Sequence, residues 1–187
     1  MNEVFNIYMS GVGGQGIGLL SEILARAADH AGMILRACDT HGLAQRGGMV
    51  SSHLRLGKAF SPLVPDGQAD LVIALERTEA LRAAHDMLKP GGVLIWYDAA
   101  WQALDVRLGE NPQIVPDDVM AAVVQKEGKA YKVLQDDLPD TRMQNVAVVS
   151  QLLKLRLIPG LERPHVEAAM ADLMAGSVLP ANLALLG

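Results

Sequence analysis

Ser10-Gly11-Val12-Gly13-Gly14-Gln15-Gly16 packs four glycines into six residues, and Gly11, Gly13 and Gly16 take the spacing G-x-G-x-x-G. Glycines at this density let a backbone turn sharply and come close to an anion. If a helix begins at the end of the run, its free N–H groups and positive dipole end favour a phosphate or a carboxylate. The same residues would also serve as a tight turn with no ligand, but four glycines exceed what a turn needs. Gln15 adds an amide that can reach a ligand or a partner chain. Gly11, Gly13, Gly14, Gln15 and Gly16 are therefore the first candidate binding residues.

A second cluster follows: Thr40-His41-Gly42-Leu43-Ala44-Gln45-Arg46-Gly47-Gly48. Arg46, set among small residues, can grip a phosphate or carboxylate with two parallel hydrogen bonds, or form a plain surface ion pair. His41 fits a proton donor or acceptor, or an ordinary surface hydrogen bonder. Thr40, His41, Gly42, Gln45, Arg46, Gly47 and Gly48 complete the candidate set. Asp39, 23 residues past Gly16, could accept a ribose hydroxyl if the glycine turn held a dinucleotide. Glu76 and Glu79 stand where a helix should begin and would be steadied by its dipole; Glu76 also faces the same rim. His30, His53, His85 and His165 show no metal spacing and no companion carboxylate. No Ser-His-Asp or Cys-His arrangement declares itself, so no catalytic residue and no metal ligand is assigned.

The elements that must position these residues can be read from periodicity. Val4–Met9 is a short apolar run entering the glycines, as a buried strand would. Apolar residues at 17, 20, 23, 24, 27, 28 and 31 have helical spacing, with Gly32 at the C-cap. Met33–Ala37 reads as a second strand. Strand, turn, helix and strand make a βαβ unit and imply a parallel sheet. Asp39–Gly48 reads as a loop at the carboxyl ends of the strands, beside the glycine turn. Residues 49–56 alternate as a half-buried strand, 70–75 form a buried one, 76–88 a helix, and 93–97 another buried strand. Lys89-Pro90-Gly91-Gly92 breaks the chain between them. Helices are expected over 116–127, 141–157 and 164–174. Residues 128–140 fit no template. No linker divides the chain, so residues 1–187 read as a single α/β domain with a helical C-terminal part.

Composition narrows the classes. The chain has 187 residues and is half hydrophobic, so it can bury a core. Its one cysteine, Cys38, excludes a disulfide framework, and a cluster needing four thiolates cannot be held by this chain alone. Cys38 itself reads as a buried core thiol. Sixteen basic against 21 acidic residues give a net charge of −5, with no basic tract for nucleic acid. No apolar run reaches the roughly 18 residues of a membrane span, and the N-terminus has no signal-peptide pattern. A cytoplasmic location is expected, with neither nucleic acid nor membrane as partner.

Several motifs in one order carry a resemblance. GVGGQGI at 11–17, THGLAQRGG at 40–48, SHLRLG at 52–57, SPLVPDGQADLVIALERTEALR at 61–82 and KPGGVLI at 89–95, with Asn145 later, resemble the gamma-type subunits of 2-oxoacid:ferredoxin oxidoreductases. The long QRGG loop resembles the indolepyruvate type more than the pyruvate type. Two positions depart from the family pattern. Arg77 stands where proline is frequent, and Asp98 where asparagine is common.

The resemblance implies a three-layer, Rossmann-like α/β domain with a mostly parallel sheet. It implies a complex that oxidatively decarboxylates a 2-oxoacid to an acyl-CoA and passes electrons to ferredoxin. Thiamine diphosphate, its Mg²⁺ and the iron–sulfur clusters would sit on a large partner subunit, so this chain holds no cofactor alone. Its two loops would face coenzyme A, the co-substrate, or the partner. Ferredoxin would be met indirectly. Two other readings of the residues remain: a stand-alone NAD(P)-binding reductase, supported by the glycine spacing and Asp39, and a non-catalytic nucleotide-binding or assembly module.

Overall fold

A computed structural model describes residues 4–41, 48–100 and 113–187. In chain order it contains β1 (Phe5–Val12), α1 (Ile17–His30), β2 (Leu35–His41), β3 (Met49–Leu56), β4 (Ala69–Ala74), α2 (Arg77–Asp86), β5 (Leu88–Tyr97), α3 (Pro116–Gln125) and β6 (Lys129–Val133). A 3-10 turn (Thr141–Met143) then leads into α4 (Gln144–Lys154), α5 (Arg163–Leu173) and α6 (Val178–Ala184).

The six strands form one sheet in the order β2-β3-β1-β4-β5-β6. Pairings from β1 through β4 and β5 to β6 are parallel, and β3 is antiparallel to both of its neighbours. Five strands thus run one way, and the fold is the Rossmann-like three-layer α/β type that the resemblance implied. One detail of the βαβ reading is corrected. β1 and β2 are not neighbours, because β3 lies between them. The link from β2 to β3 is too short for a parallel crossover, which needs a dozen or more residues, so β3 must come back antiparallel.

Strand alternation sends side chains to two cores. Ile7, Met9, Leu54, Leu56, Leu71, Ile73 and Ile95 meet Leu20, Ile23 and Leu24 of α1, together with the apolar faces of α4 and α5. On the opposite face Tyr8, Val72, Ala74, Leu94 and Trp96 meet the alanines of α2 and Val119 and Val123 of α3.

Four further expectations are corrected. Asp39, Thr40 and His41 belong to β2, paired with Ser52, Ser51 and Val50. β3 is buried on both sides at Ser51–Leu54 rather than half-buried, because it is internal to the sheet. Lys89–Gly92 does not interrupt the chain between elements. It is absorbed into β5 as an irregularity, with pairing shifting from Ala69–Leu88 to Leu71–Val93. Residues 129–133, left without an assignment, form edge strand β6. Its Lys129 and Lys132 mask the pattern while protecting the edge.

Candidate functional site

The glycine turn joins β1 to α1 at the carboxyl end of the parallel strands. Gly14 and Gly16 have φ of 103° and 84°, a region that side chains disfavour. Gly16 caps α1 with no side-chain hydrogen bond, and the first helical turn holds no acidic residue. The positive end of α1 therefore faces the rim uncompensated.

Packing enforces the turn. A Cβ on Gly16 would lie 2.8 Å from Asn145 Nδ2. Asn145 is buried at the start of α4; its Nδ2 donates to Gly16 O at 3.4 Å, and its Oδ1 accepts from Val146 N at 2.8 Å. Gln15 Oε1 accepts from Val12 N at 2.7 Å, and Gln15 Nε2 donates to Leu75 O at 2.9 Å. The amide expected to meet a ligand or partner thus ties the turn to the end of β1 by its oxygen and to the residue after β4 by its nitrogen.

The second loop ends beside this turn and begins one strand away, at the end of β2. Gly13 N donates to Gly48 O at 2.9 Å. Thr40 Oγ1 lies 2.5 Å from Ser51 Oγ, and the backbone of His41 faces Val50. Gly42, Gln45, Arg46 and Gly47 lie outside the described residues. Asp39 is exposed on β2, with β3 between it and the glycine turn. An acid that receives a ribose stands on the strand next to the first. Here one more strand spacing, about 4.8 Å, intervenes.

Asn145 and Leu19 also line a largely apolar groove of about 660 Å³ between α1 and the C-terminal helices. Arg142 stands at its edge, and its hydrogen bonds to Asp140 hold that carboxyl at about 2.

The acids of α2 have separate roles. Glu76 is the N-cap of α2: its Oε2 accepts from Glu79 N at 2.9 Å, which serves the helix. Arg77 and Asp98 are partners. Arg77 Nε lies 2.7 Å from Asp98 Oδ1, with only 14% and 6% of the two side chains exposed. Burial pushes the Asp98 carboxyl up, but hydrogen bonds from Arg77 and Trp96 outweigh it and hold it below its ordinary value.

His53 is buried, its Nδ1 accepting from Val64 N at 3.1 Å. His30, expected to lack a companion acid, has one in Asp172, 2.8 Å away across α1 and α5. Cys38 is only half-buried, on edge strand β2, rather than a core thiol. Burial and then Asp39 push its thiol up, so it is no activated nucleophile. Among the described residues no cluster of three His, Cys, Asp or Glu could hold a metal ion. No helix among them is long and apolar enough to cross a membrane.

Comparison with known proteins fits this geometry. Residues 6–187 match the family described as pyruvate ferredoxin/flavodoxin oxidoreductase. The chain is 37% identical to the indolepyruvate oxidoreductase subunit IorB of Archaeoglobus fulgidus, over 95% of this chain and 90% of that one. Pyruvate oxidoreductase subunit PORC of Thermotoga maritima superposes with a TM-score of 0.66 at 20% identity, covering 98% of this chain and 93% of the other. The 2-oxoglutarate:ferredoxin oxidoreductase of Magnetococcus marinus, solved with 2-oxoglutarate, coenzyme A and succinyl-CoA bound, superposes with a TM-score of 0.70 at 17% identity. The match covers all of this chain and 30% of that larger one. The chain belongs to the pyruvate ferredoxin/flavodoxin oxidoreductase family.

Proposed function

We propose that this chain is the small subunit of an indolepyruvate-type, or arylpyruvate-type, 2-oxoacid:ferredoxin oxidoreductase of the cytoplasm. The observation that carries the reading is the 37% identity to an indolepyruvate oxidoreductase subunit over 95% of the chain. The complex converts a 2-oxoacid, CoA and two oxidised ferredoxins to acyl-CoA, CO₂, a proton and two reduced ferredoxins. Thiamine diphosphate on the large subunit would supply the carbanion chemistry of decarboxylation. The donor set here suits neither that cofactor's metal nor a cluster, since the chain has one cysteine and no three His, Cys, Asp or Glu converge among the described residues.

This chain's own part is to bind and position. The uncapped N–H groups of α1, held open by Gly14 and Gly16, suit a phosphate of coenzyme A. Arg46 would take a second anion, and His41–Gly48 would form part of the rim that faces the coenzyme or the large subunit. The adjoining groove of about 660 Å³ is within the size range of sites for extended ligands. None of these residues exchanges a proton with substrate or attacks it, so the chain is incomplete alone.

Copurification with the large subunit tests the reading. The pair should reduce a dye with an arylpyruvate and CoA, while this chain alone is inert. In the assembled pair, Arg46→Ala should raise the KM for CoA at least tenfold. Unchanged CoA dependence and unchanged assembly would remove Arg46 from the site. The NAD(P) reading is disfavoured by β3, which separates Asp39 from the glycine turn; tight NADH binding with turnover by the chain alone would restore it.

A further inference from the structure

On the α2 face, α2 and α3 pack over β4, β5, β6 and part of β1. Beside α2, above β1 and the start of β3, a cleft of about 350 Å³ opens, lined by Tyr8, Ser10, Asp66, Glu79, Arg82 and Asp86 together with Met49, Ala83 and Met87. Ser10 is 1% exposed, and its Oγ has no hydrogen-bond partner. A buried hydroxyl without a partner is costly unless something brings one. Tyr8 and Ser10 share the cleft face because they alternate along β1. Ser51, on the same face, is hydrogen-bonded to Thr40, so that neighbouring hydroxyl is already satisfied.

Charge then selects the guest. Three carboxylates line the cleft against one guanidinium, so phosphates and carboxylates are repelled. Glu79 is 7% exposed and already takes a cation: Arg82 Nη1 donates to its Oε1 at 2.7 Å. The Arg82 side chain is 51% exposed, so its hold on Glu79 is replaceable. Burial pushes the Glu79 carboxyl up, and Arg82 works against that shift, as a second close cation would. Ala83 and Met87 give the wall an apolar stretch. No metal fits, because no three acidic or ligating groups converge among the described residues.

We propose that this cleft binds an alkylammonium group, its charged head between Glu79 and Ser10 Oγ and its methylene stem along Ala83 and Met87, with Arg82 swung out to solvent. The site opens on the α2 face, adjoining the turn proposed for coenzyme A, and takes the opposite charge.

The test uses the full chain at low ionic strength. Titration with putrescine, followed by backbone amide NMR, should give saturable shifts at Ser10, Glu79 and Arg82. Butane-1,4-diol and acetate at equal concentration should give none. Glu79→Gln should weaken putrescine binding at least tenfold. Asp66→Asn with Asp86→Asn should weaken it several-fold and flatten its salt dependence. Arg82→Ala, an exposed change that leaves the core intact, should tighten binding several-fold by removing the competing guanidinium. Putrescine binding that ignores both Glu79→Gln and Arg82→Ala, or diol shifts matching those of putrescine, would overturn the proposal. Nα-acetyl-lysine amide separates the sources. Equal binding identifies a polypeptide lysine as an occupant, and putrescine binding alone identifies a free amine.

Discussion

The two faces of the sheet are built for different ends. The α1 face is closed by three helices and filled with leucine, isoleucine, valine and methionine. The α2 face is covered by two helices, and the one over β1 and β4 packs through small side chains, Ala80, Ala83 and Ala84. Beyond those helices it presents Tyr8, Ser51, His53 and Thr40 in a hydrogen-bonded or stacked row; the Tyr8 and His53 rings lie 5.1 Å apart at 73°. A face that carries most of the stability can be wholly apolar and interlocked. A face offered to a ligand, as proposed for the α2 side, keeps polar groups and unfilled space.

If that division holds, the largest loss of stability comes from the closed face. Leu20→Ala, at a fully buried position in α1, should cost about 3 kcal/mol in urea unfolding. Next is the pair beneath α2. Arg77→Ala leaves Asp98 charged and nearly buried and should cost about 2 kcal/mol. Adding Asp98→Asn should recover much of that loss, giving a clear coupling in a double-mutant cycle. The pH dependence follows in sign. Asp98 is depressed in the folded chain, so its contribution is full above the ordinary carboxylate range and is lost as pH falls through its lowered value. The double variant should therefore lose less stability between pH 5 and 2 than wild type does (a window set by about 3.9 for a free Asp).

At the rim, Gly16→Ala should cost about 2 kcal/mol and exceed Gly14→Ala. Both have positive φ, but only Gly16 meets Asn145. The smallest effect, and the sharpest comparison of the faces, is a pair of serines. Ser10 and Ser52 are both buried without partners, Ser10 toward the cleft and Ser52, by alternation with Leu54, toward the closed core. Ser52→Ala should be neutral or stabilising by up to about 1 kcal/mol. Ser10→Ala should match it in thermal unfolding yet lose putrescine affinity, a loss Ser52→Ala should not share.

What the sequence disclosed and what it hid follow from range. The glycine turn, α1 and the buried strands are local patterns of period and turn chemistry, and their residues lie where those patterns put them. Gln15 was visible as an unusual residue, but one of its two bonds, to Leu75, is a contact 60 residues away. Arg77 and Asp98 each looked like an isolated departure from the family pattern. Only the parallel pairing of β4 with β5 brings the two together. Asp172 lies 142 residues from His30 and has no signature near it. The order β2-β3-β1 was missed, since strand, turn, helix and strand suggested β2 beside β1, although the link between β2 and β3 is too short for a crossover. Ser10 and Glu79 were in plain view, but a cleft is made by what does not fill it, and periodicity does not report empty space.

The place of β3 has a consequence for how the chain is made. A chain growing from its N-terminus completes β1, α1 and β2 before the strand that must separate them exists. During that interval neither β1 nor β2 has a native neighbour within reach, and pairing the two with each other gives a ladder that the finished sheet forbids. Any such ladder has to reopen before residues 49–56 can enter as the divider. The N-terminal third is therefore best left unpaired until Leu56 has emerged, and the glycines of the β1–α1 turn give that stretch of backbone the conformational freedom to wait.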